Sequence, residues 1–211
     1  MHLYLGCMKF KSPYTHIFKQ GDANLAPLLV LHGTGGDENA MLDIASAVAP
    51  KRSVLSPRGL VNEHGNLRFF RRFAEGHLDE DDVHFRSNEM NEFVTGAMAA
   101  YEIPKPIALG YSNGANLALA MLVMELKCLS GAILLRSMAP FKSMPIADLN
   151  QMPILLLNGA QDQMIPPADT KALQALLVAG KAKLQHQILP TGHGLSQTDI
   201  THISQFLDEQ K

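Results

Sequence analysis

Short, unbroken apolar runs recur along this chain, and the stretches between them carry helical spacing. Residues 28–31 form a continuous apolar run of the kind expected for a strand buried on both faces. Further strands are predicted at 53–55 (ended by Pro57), 107–109, 132–135, 154–157 and 184–189, and an edge strand at 14–19. Helices are predicted over 38–48, 79–101, 113–126, 167–178 and 197–207. The acids Asp79-Glu80-Asp81-Asp82 open the second of these helices, where they complement the helix dipole rather than bind metal. Residues 58–77 show no clean period and are long for a connection, which marks a functional loop. Strands alternating with helices predict an α/β fold: one compact domain over 1–211, a mostly parallel central sheet and helices on both faces, without a large cap. In such sheets ligands bind beyond the carboxyl ends of the strands.

Composition narrows the picture. The chain has 211 residues, 46% hydrophobic and 18% charged, an ordinary balance for a water-exposed globular domain with a sizeable core. A net charge of −2 without a long basic run argues against nucleic acid or an anionic membrane surface as partner. No apolar run approaches the ~18 residues of a membrane span. The first seven residues resemble a lipoprotein signal, but the apolar stretch is too short and no basic segment precedes it; Met8 is an alternative start to Met1. Two cysteines, Cys7 and Cys128, are too few for a disulfide framework and point to a reducing, cytoplasmic setting, with Cys128 a buried thiol.

The candidate chemistry centres on Gly110-Tyr111-Ser112-Asn113-Gly114. A serine at a sharp strand-to-helix bend is lifted clear of the backbone, and glycines at the flanks avoid collisions there. Serine needs a base to act as a nucleophile, and the base needs an orienting partner. His193, in Thr191-Gly192-His193-Gly194 after the last strand, is the candidate base. His186 falls within a strand and His202 within a helix, so both are worse placed. Asp162, in the turn after 154–157, is the candidate orienter; Asp169 and Asp199 lie at or within helices. The three stand in the chain order Ser112, Asp162, His193, each after its own strand, an order compatible with a serine triad at the carboxyl edge of a parallel sheet. The glycine-rich turn His32-Gly33-Thr34-Gly35-Gly36 follows the strand 28–31. It fits neither a Walker loop nor a dinucleotide fingerprint. Its Thr34 N–H is expected to pair with the Asn113 N–H as an oxyanion hole.

Several segments together resemble one family. They are Leu31-His32-Gly33-Thr34-Gly35-Gly36-Asp37-Glu38, Pro57-Arg58-Gly59, Arg68-Phe69-Phe70-Arg71-Arg72, the Ser112 pentapeptide, Gly159 with Asp162, and Gly192-His193. The chain is similar to the serine carboxylesterase/phospholipase branch of the α/β-hydrolase fold, which includes acyl-protein thioesterases, and within it to MhqD-like bacterial hydrolases. The resemblance implies a Ser112–Asp162–His193 triad acting on esters or thioesters, with a small-molecule substrate. It allows a homodimer, on which the residues themselves are silent.

Arg136-Ser137-Met138 departs from the His-Pro-Met-like segment of relatives. An Arg136 facing the site would favour an anionic substrate group; the alternative is an arginine exposed at a strand end. Phe69, Phe70, Met138, Met164, Ile165 and Leu195 flank the site loops and are candidates for an acyl pocket, or else core. Arg71 and Arg72 are expected to brace their loop through salt bridges. The nine histidines show no metal spacing, so neither metal nor organic cofactor is expected. Lactone or C–C bond hydrolysis on the same triad, and a non-catalytic binding protein on the same fold, stay open as alternatives.

Overall fold

A computed structural model describes residues 10–210. Cys7, Met1 and Met8 lie outside the described residues. Seven strands form one sheet in the order β1-β3-β2-β8-β9-β10-β11. These are β1 (His16–Lys19), β2 (Leu28–Leu31), β3 (Val54–Pro57), β8 (Ile107–Tyr111), β9 (Gly131–Leu135), β10 (Pro153–Gly159) and β11 (Lys183–Leu189). Only β1 runs antiparallel, pairing His16 with Pro57 at the sheet edge; every other neighbouring pair is parallel.

The continuous apolar runs divide by alternation into two cores, because successive side chains of a strand point to opposite faces. Leu29, Leu31, Ala108, Ala132, Leu134, Ile154 and Leu156 face one cluster. Leu28, Val30, Ile107, Leu109, Ile133, Leu135, Leu155 and Leu157 face the other. Helices α2 (Glu80–Tyr101), α3 (Asn113–Val123) and α4 (Pro167–Ala179) cover the first face. Helices α1 (Leu42–Val48) and α5 (Gln197–Asp208) cover the second. All eleven residues of α3 are buried, as expected of a helix apolar around its whole circumference. Among the described residues, no helix is long and apolar enough to cross a membrane.

The predicted elements appear with shifted ends. Helix α1 begins at Leu42 rather than 38, because the Asp37 carboxylate accepts the Asn39 N–H at 2.8 Å and holds a turn there. Helix α3 stops at Val123, and Glu125 takes a left-handed φ of 55°. Asp79 caps α2, its side chain accepting from the Asp82 N–H, so the acidic cluster serves the helix start.

The stretch 58–77 is not an open loop. It folds into two small hairpins, β4 (Val61–Glu63) with β5 (Asn66–Arg68), and β6 (Arg72–Ala74) with β7 (His77–Leu78). His64 and Gly65 turn the first with φ of 52° and 91°, the two positive values that a tight hairpin turn demands. Arms of two or three residues are too short to show a period in sequence.

Candidate active site

Ser112 stands where β8 bends into α3, with φ 50° and ψ −112°, well outside the comfortable regions for an L-residue. The flanking glycines permit this. A Cβ on Gly110 would lie 2.7 Å from the Ala115 Cα, and one on Gly114 would collide with the carbonyl of Leu31. The Ser112 N–H donates to the Leu135 carbonyl at 2.8 Å, tying the bend to β9.

Two loops from other strands reach this serine. The Nε2 of His193, after β11, lies 3.0 Å from the Ser112 Oγ. The His193 Nδ1 lies 2.8 Å from Oδ2 of Asp162, after β10. An ionised carboxylate only accepts, so Nδ1 carries the proton and Nε2 is left to accept from the serine hydroxyl. The second Asp162 oxygen takes the N–H groups of Met164 (2.9 Å) and Ile165 (3.3 Å), which turns the carboxylate toward the imidazole. The Asp162 side chain is 1% exposed and that of His193 21%, so their contact is poorly screened by water. The Tyr111 hydroxyl donates to the His193 carbonyl at 3.2 Å.

Thr34 and Asn113 border the same cleft as Ser112. Neither N–H donates to an acceptor among the described residues; for Asn113 this follows from its place in the first turn of α3. The Asn113 side chain is occupied elsewhere, its Oδ1 accepting the Phe69 N–H at 2.7 Å. Behind Thr34, the His32 Nε2 accepts the Gly59 N–H at 2.9 Å, so the Nδ1 proton goes to the Gly33 carbonyl at 2.7 Å. Burial pushes the His32 pKa below the ordinary histidine value. The neutral ring thereby pins the glycine-rich turn to the segment at Gly59.

The cleft has a volume of about 250 Å³. Of the residues expected around an acyl pocket, Met138, Met164 and Ile165 border it. Phe69 and Phe70 do not: both are fully buried in the core, Phe69 against the His32 ring at 4.5 Å. Leu195 packs onto the cluster on the opposite face of the sheet. Here apolar side chains beside a site loop turned inward, because the core offers them more burial than the cleft. Sequence reasoning missed Tyr111, Asn116, Leu78, Arg68, Arg72 and Glu75 as cleft residues. Tyr111 lay in plain view inside the serine pentapeptide. Asn116, one turn along α3, holds the chain after β9 by accepting the Met138 N–H at 2.9 Å.

Arg136 borders the cleft, but its side chain is buried rather than exposed at a strand end. Its side chain is 0% exposed and paired with Asp199, also 0% exposed, at 2.8 and 3.0 Å through two nitrogens. The same guanidinium donates to the carbonyls of Gly192 (3.0 Å), Gly194 (3.1 Å) and Leu157 (3.3 Å) and to the Thr191 hydroxyl (3.0 Å). It therefore grips the residues on both sides of His193. Burial alone would raise the Asp199 pKa, but the bonds from Arg136 and Ser196 hold it below the usual carboxylate value. Asp199 also closes the capping box of α5 with Ser196.

The other candidates have structural places. Arg71 pairs with Asp79 and Arg72 with Glu63, bracing the hairpins. His186 lies in β11, His202 in α5 and Asp169 in the first turn of α4. Cys128 is a free, buried thiol whose pKa burial pushes up to about 11. Among the described residues, no group of three His, Cys, Asp or Glu is placed to hold a metal ion.

With this geometry established, similarity to known proteins adds the chemistry of the family. A sequence model of the phospholipase/carboxylesterase family matches residues 13–211. The MhqD hydrolase of Bacillus subtilis (strain 168) is 32% identical over 196 residues, covering 92% of this chain and 98% of its own length. The structure of a Bacillus cereus carboxylesterase superposes with a TM-score of 0.91 at 37% identity, over 94% of this chain and 95% of that one. YahD, solved with malic acid, gives a TM-score of 0.89 at 29% identity, over 94% of this chain and 100% of its own.

Two outcomes are expected from the packing around this site. Arg136→Met leaves a buried, unpaired Asp199 carboxylate and lowers the unfolding free energy in urea by about 3–5 kcal/mol; a loss below 1 kcal/mol would mean the pair matters no more than a surface bridge. The depressed His32 pKa means that the unfolded chain takes up a proton first as pH falls. Stability is then fully present above the ordinary histidine value of about 6.5 and declines as pH drops toward the folded value. Melting temperatures between pH 7.5 and 5 should show this decline, and His32→Gln should flatten part of it; an unchanged slope in the variant rejects the assignment.

Proposed function

The chain belongs to the phospholipase/carboxylesterase family of hydrolases, and we propose that it cleaves small carboxylic esters through an acyl-enzyme formed on Ser112. The observation that carries this reading is one unbroken relay. Asp162 Oδ2, the His193 ring and the Ser112 Oγ are joined at 2.8 and 3.0 Å, and the relay ends in a cleft. Ser112 attacks the ester carbonyl while His193 Nε2 takes its proton. The tetrahedral oxyanion is received by the N–H groups of Thr34 and Asn113, which have no other acceptor among the described residues. His193 then returns the proton to the departing alcohol. A water, deprotonated by the same nitrogen, attacks the acyl-enzyme and releases the acid. Asp162 holds the ring in the required tautomer and stabilises the imidazolium at each transfer.

Thioesters meet the same relay and are the second substrate class of this reading. A volume of about 250 Å³ lies below the roughly 300–1,000 Å³ common for ligand pockets, which supports short acyl groups over lipid-length chains. The malic acid found with YahD is likewise a small molecule. The reading includes a cytoplasmic setting, which rests on the two-cysteine content of the sequence.

A fluorophosphonate probe should label the protein, and Ser112→Ala should lose both the label and roughly 10⁴–10⁶-fold in kcat. Among p-nitrophenyl esters, acetate or butyrate should exceed octanoate by about tenfold or more in kcat/KM. A folded protein that neither labels nor turns over any ester would instead be a binding protein on a hydrolase fold. A preference for octanoate would refute the short-acyl assignment.

A further inference from the structure

Two arginines border the cleft that holds Ser112 and His193, and no step of the proposed relay uses them. Arg68 ends β5 and Arg72 begins β6, so the paired hairpins bring two guanidinium groups to one wall beside Thr34. Arg68 is 3% exposed, yet it is incompletely matched. Its Nε donates to the Phe70 carbonyl at 3.1 Å and its Nη1 to the Thr34 hydroxyl at 2.7 Å. Glu63 is the carboxylate in ion-pair contact with it, at 3.6 Å; its Nη2 makes no hydrogen bond to a described residue and is not sealed from water. Glu63 is moreover shared, since it also pairs with Arg72 at 3.0 Å. Burial lowers the Arg68 pKa, and the neighbouring positive charge of Arg72 lowers it further.

A guanidinium donor that meets water rather than a protein acceptor, beside a second cation, is open to an anion that can accept from it. Arg136, by contrast, has all its nitrogens engaged and a buried partner of its own. The acid nearest to filling the gap, Glu75, also lies on the cleft and pairs with Arg72. Its side chain is 59% exposed and sits beside Gly76 at a hairpin tip, so water can replace Arg72 as its partner at little cost.

We propose that Arg68 and Arg72 form a carboxylate-binding subsite, so that the preferred substrate is a small ester carrying a second, free carboxylate. The planar fork of arginine matches a carboxylate through two parallel hydrogen bonds. A substrate anion would take the free Nη2 of Arg68 and displace Glu75 from Arg72. This assignment rests on Ser112 as the nucleophile, because the subsite orients the ester toward that residue.

Monomethyl succinate and dimethyl succinate provide a matched anionic and neutral pair. The wild type should favour the monoester in kcat/KM. Arg68→Met removes a buried group and risks misfolding, so Arg72→Gln and Glu75→Gln, at more exposed positions, carry the test. Arg72→Gln should lower the monoester-to-diester ratio about tenfold, chiefly through KM, and Glu75→Gln should raise it several-fold by removing the competing acid. A wild type that favours the diester, or a ratio that both variants leave unchanged, overturns the subsite. Calorimetric titration of succinate into Ser112→Ala separates the two readings. If the wild type hydrolyses neither ester and takes no fluorophosphonate label, the nucleophile assignment falls, while succinate binding that weakens in Ser112→Ala/Arg72→Gln still upholds the anion site. Absence of succinate binding as well overturns it.

Discussion

The Arg136–Asp199 pair is the contact on which the geometry of the site depends. It joins the end of β9 to the first turn of α5, with the His193 loop held between them. Buried ion pairs are poor evidence of net stability, because desolvation offsets much of their attraction. What this one supplies is direction. A guanidinium fixed by a bidentate carboxylate has its remaining donors aimed in set directions, and the carbonyls at 192 and 194 meet them. An aliphatic side chain of similar volume would fill the space but leave those carbonyls without donors. The backbone on either side of His193 would then lose the contacts that place its ring 3.0 Å from the serine oxygen.

The opposite half of the relay is held in a strained conformation by close packing and by the Ser112 N–H bond to the Leu135 carbonyl. Ser112 adopts a backbone conformation that costs of order 1–3 kcal/mol, and the surrounding packing enforces it. β8 and β9 are both buried, α3 is buried on every side, and the helix start presses so close to β2 that position 114 has no room for a Cβ. The two apolar cores thus have a chemical consequence. By filling both faces of a parallel sheet they leave the bend after β8 no relaxed alternative, and the half-buried hydroxyl borders the cleft at the carboxyl end of the strands. The residues proposed to move a proton and the residues that exclude water from the core are parts of one packing problem.

Much of this was legible in the sequence, and the reason is local. A strand buried on both faces must be a short apolar run, and a serine at such a bend must have small neighbours. Residues 28–31, 107–109, 132–135 and 154–157 and the pentapeptide around Ser112 therefore announce themselves. Arg136 did not, because its partner is 63 positions away along the chain and nothing at either position marks the pairing. The hairpins between 61 and 78 were illegible for a different reason: two- and three-residue arms carry no period. Phe69 and Phe70 show the limit of neighbourhood arguments, since both follow a cleft residue in sequence but are drawn into the core, where an aromatic ring loses the most contact with water.

The division of labour within the cleft follows from the same physics. Ser112, Asp162 and His193 sit at the ends of strands whose positions the whole sheet determines, so their mutual distances are insensitive to surface change. Arg68, Arg72, Glu75 and Leu78 sit on hairpins stabilised by a few cross-strand bonds and by surface ion pairs, each worth little on its own. Substitution there alters charge and shape at the cleft without disturbing the relay. Thr34 is the point of contact between the two systems: its hydroxyl accepts from Arg68, and the residue borders the cleft beside Ser112. A guanidinium that is incompletely neutralised polarises that residue, and so the charge state of the hairpin wall reaches the place where negative charge would develop. If Thr34 donates to an oxyanion as proposed, substrate recognition at the hairpin wall and oxyanion stabilisation would be coupled through Arg68.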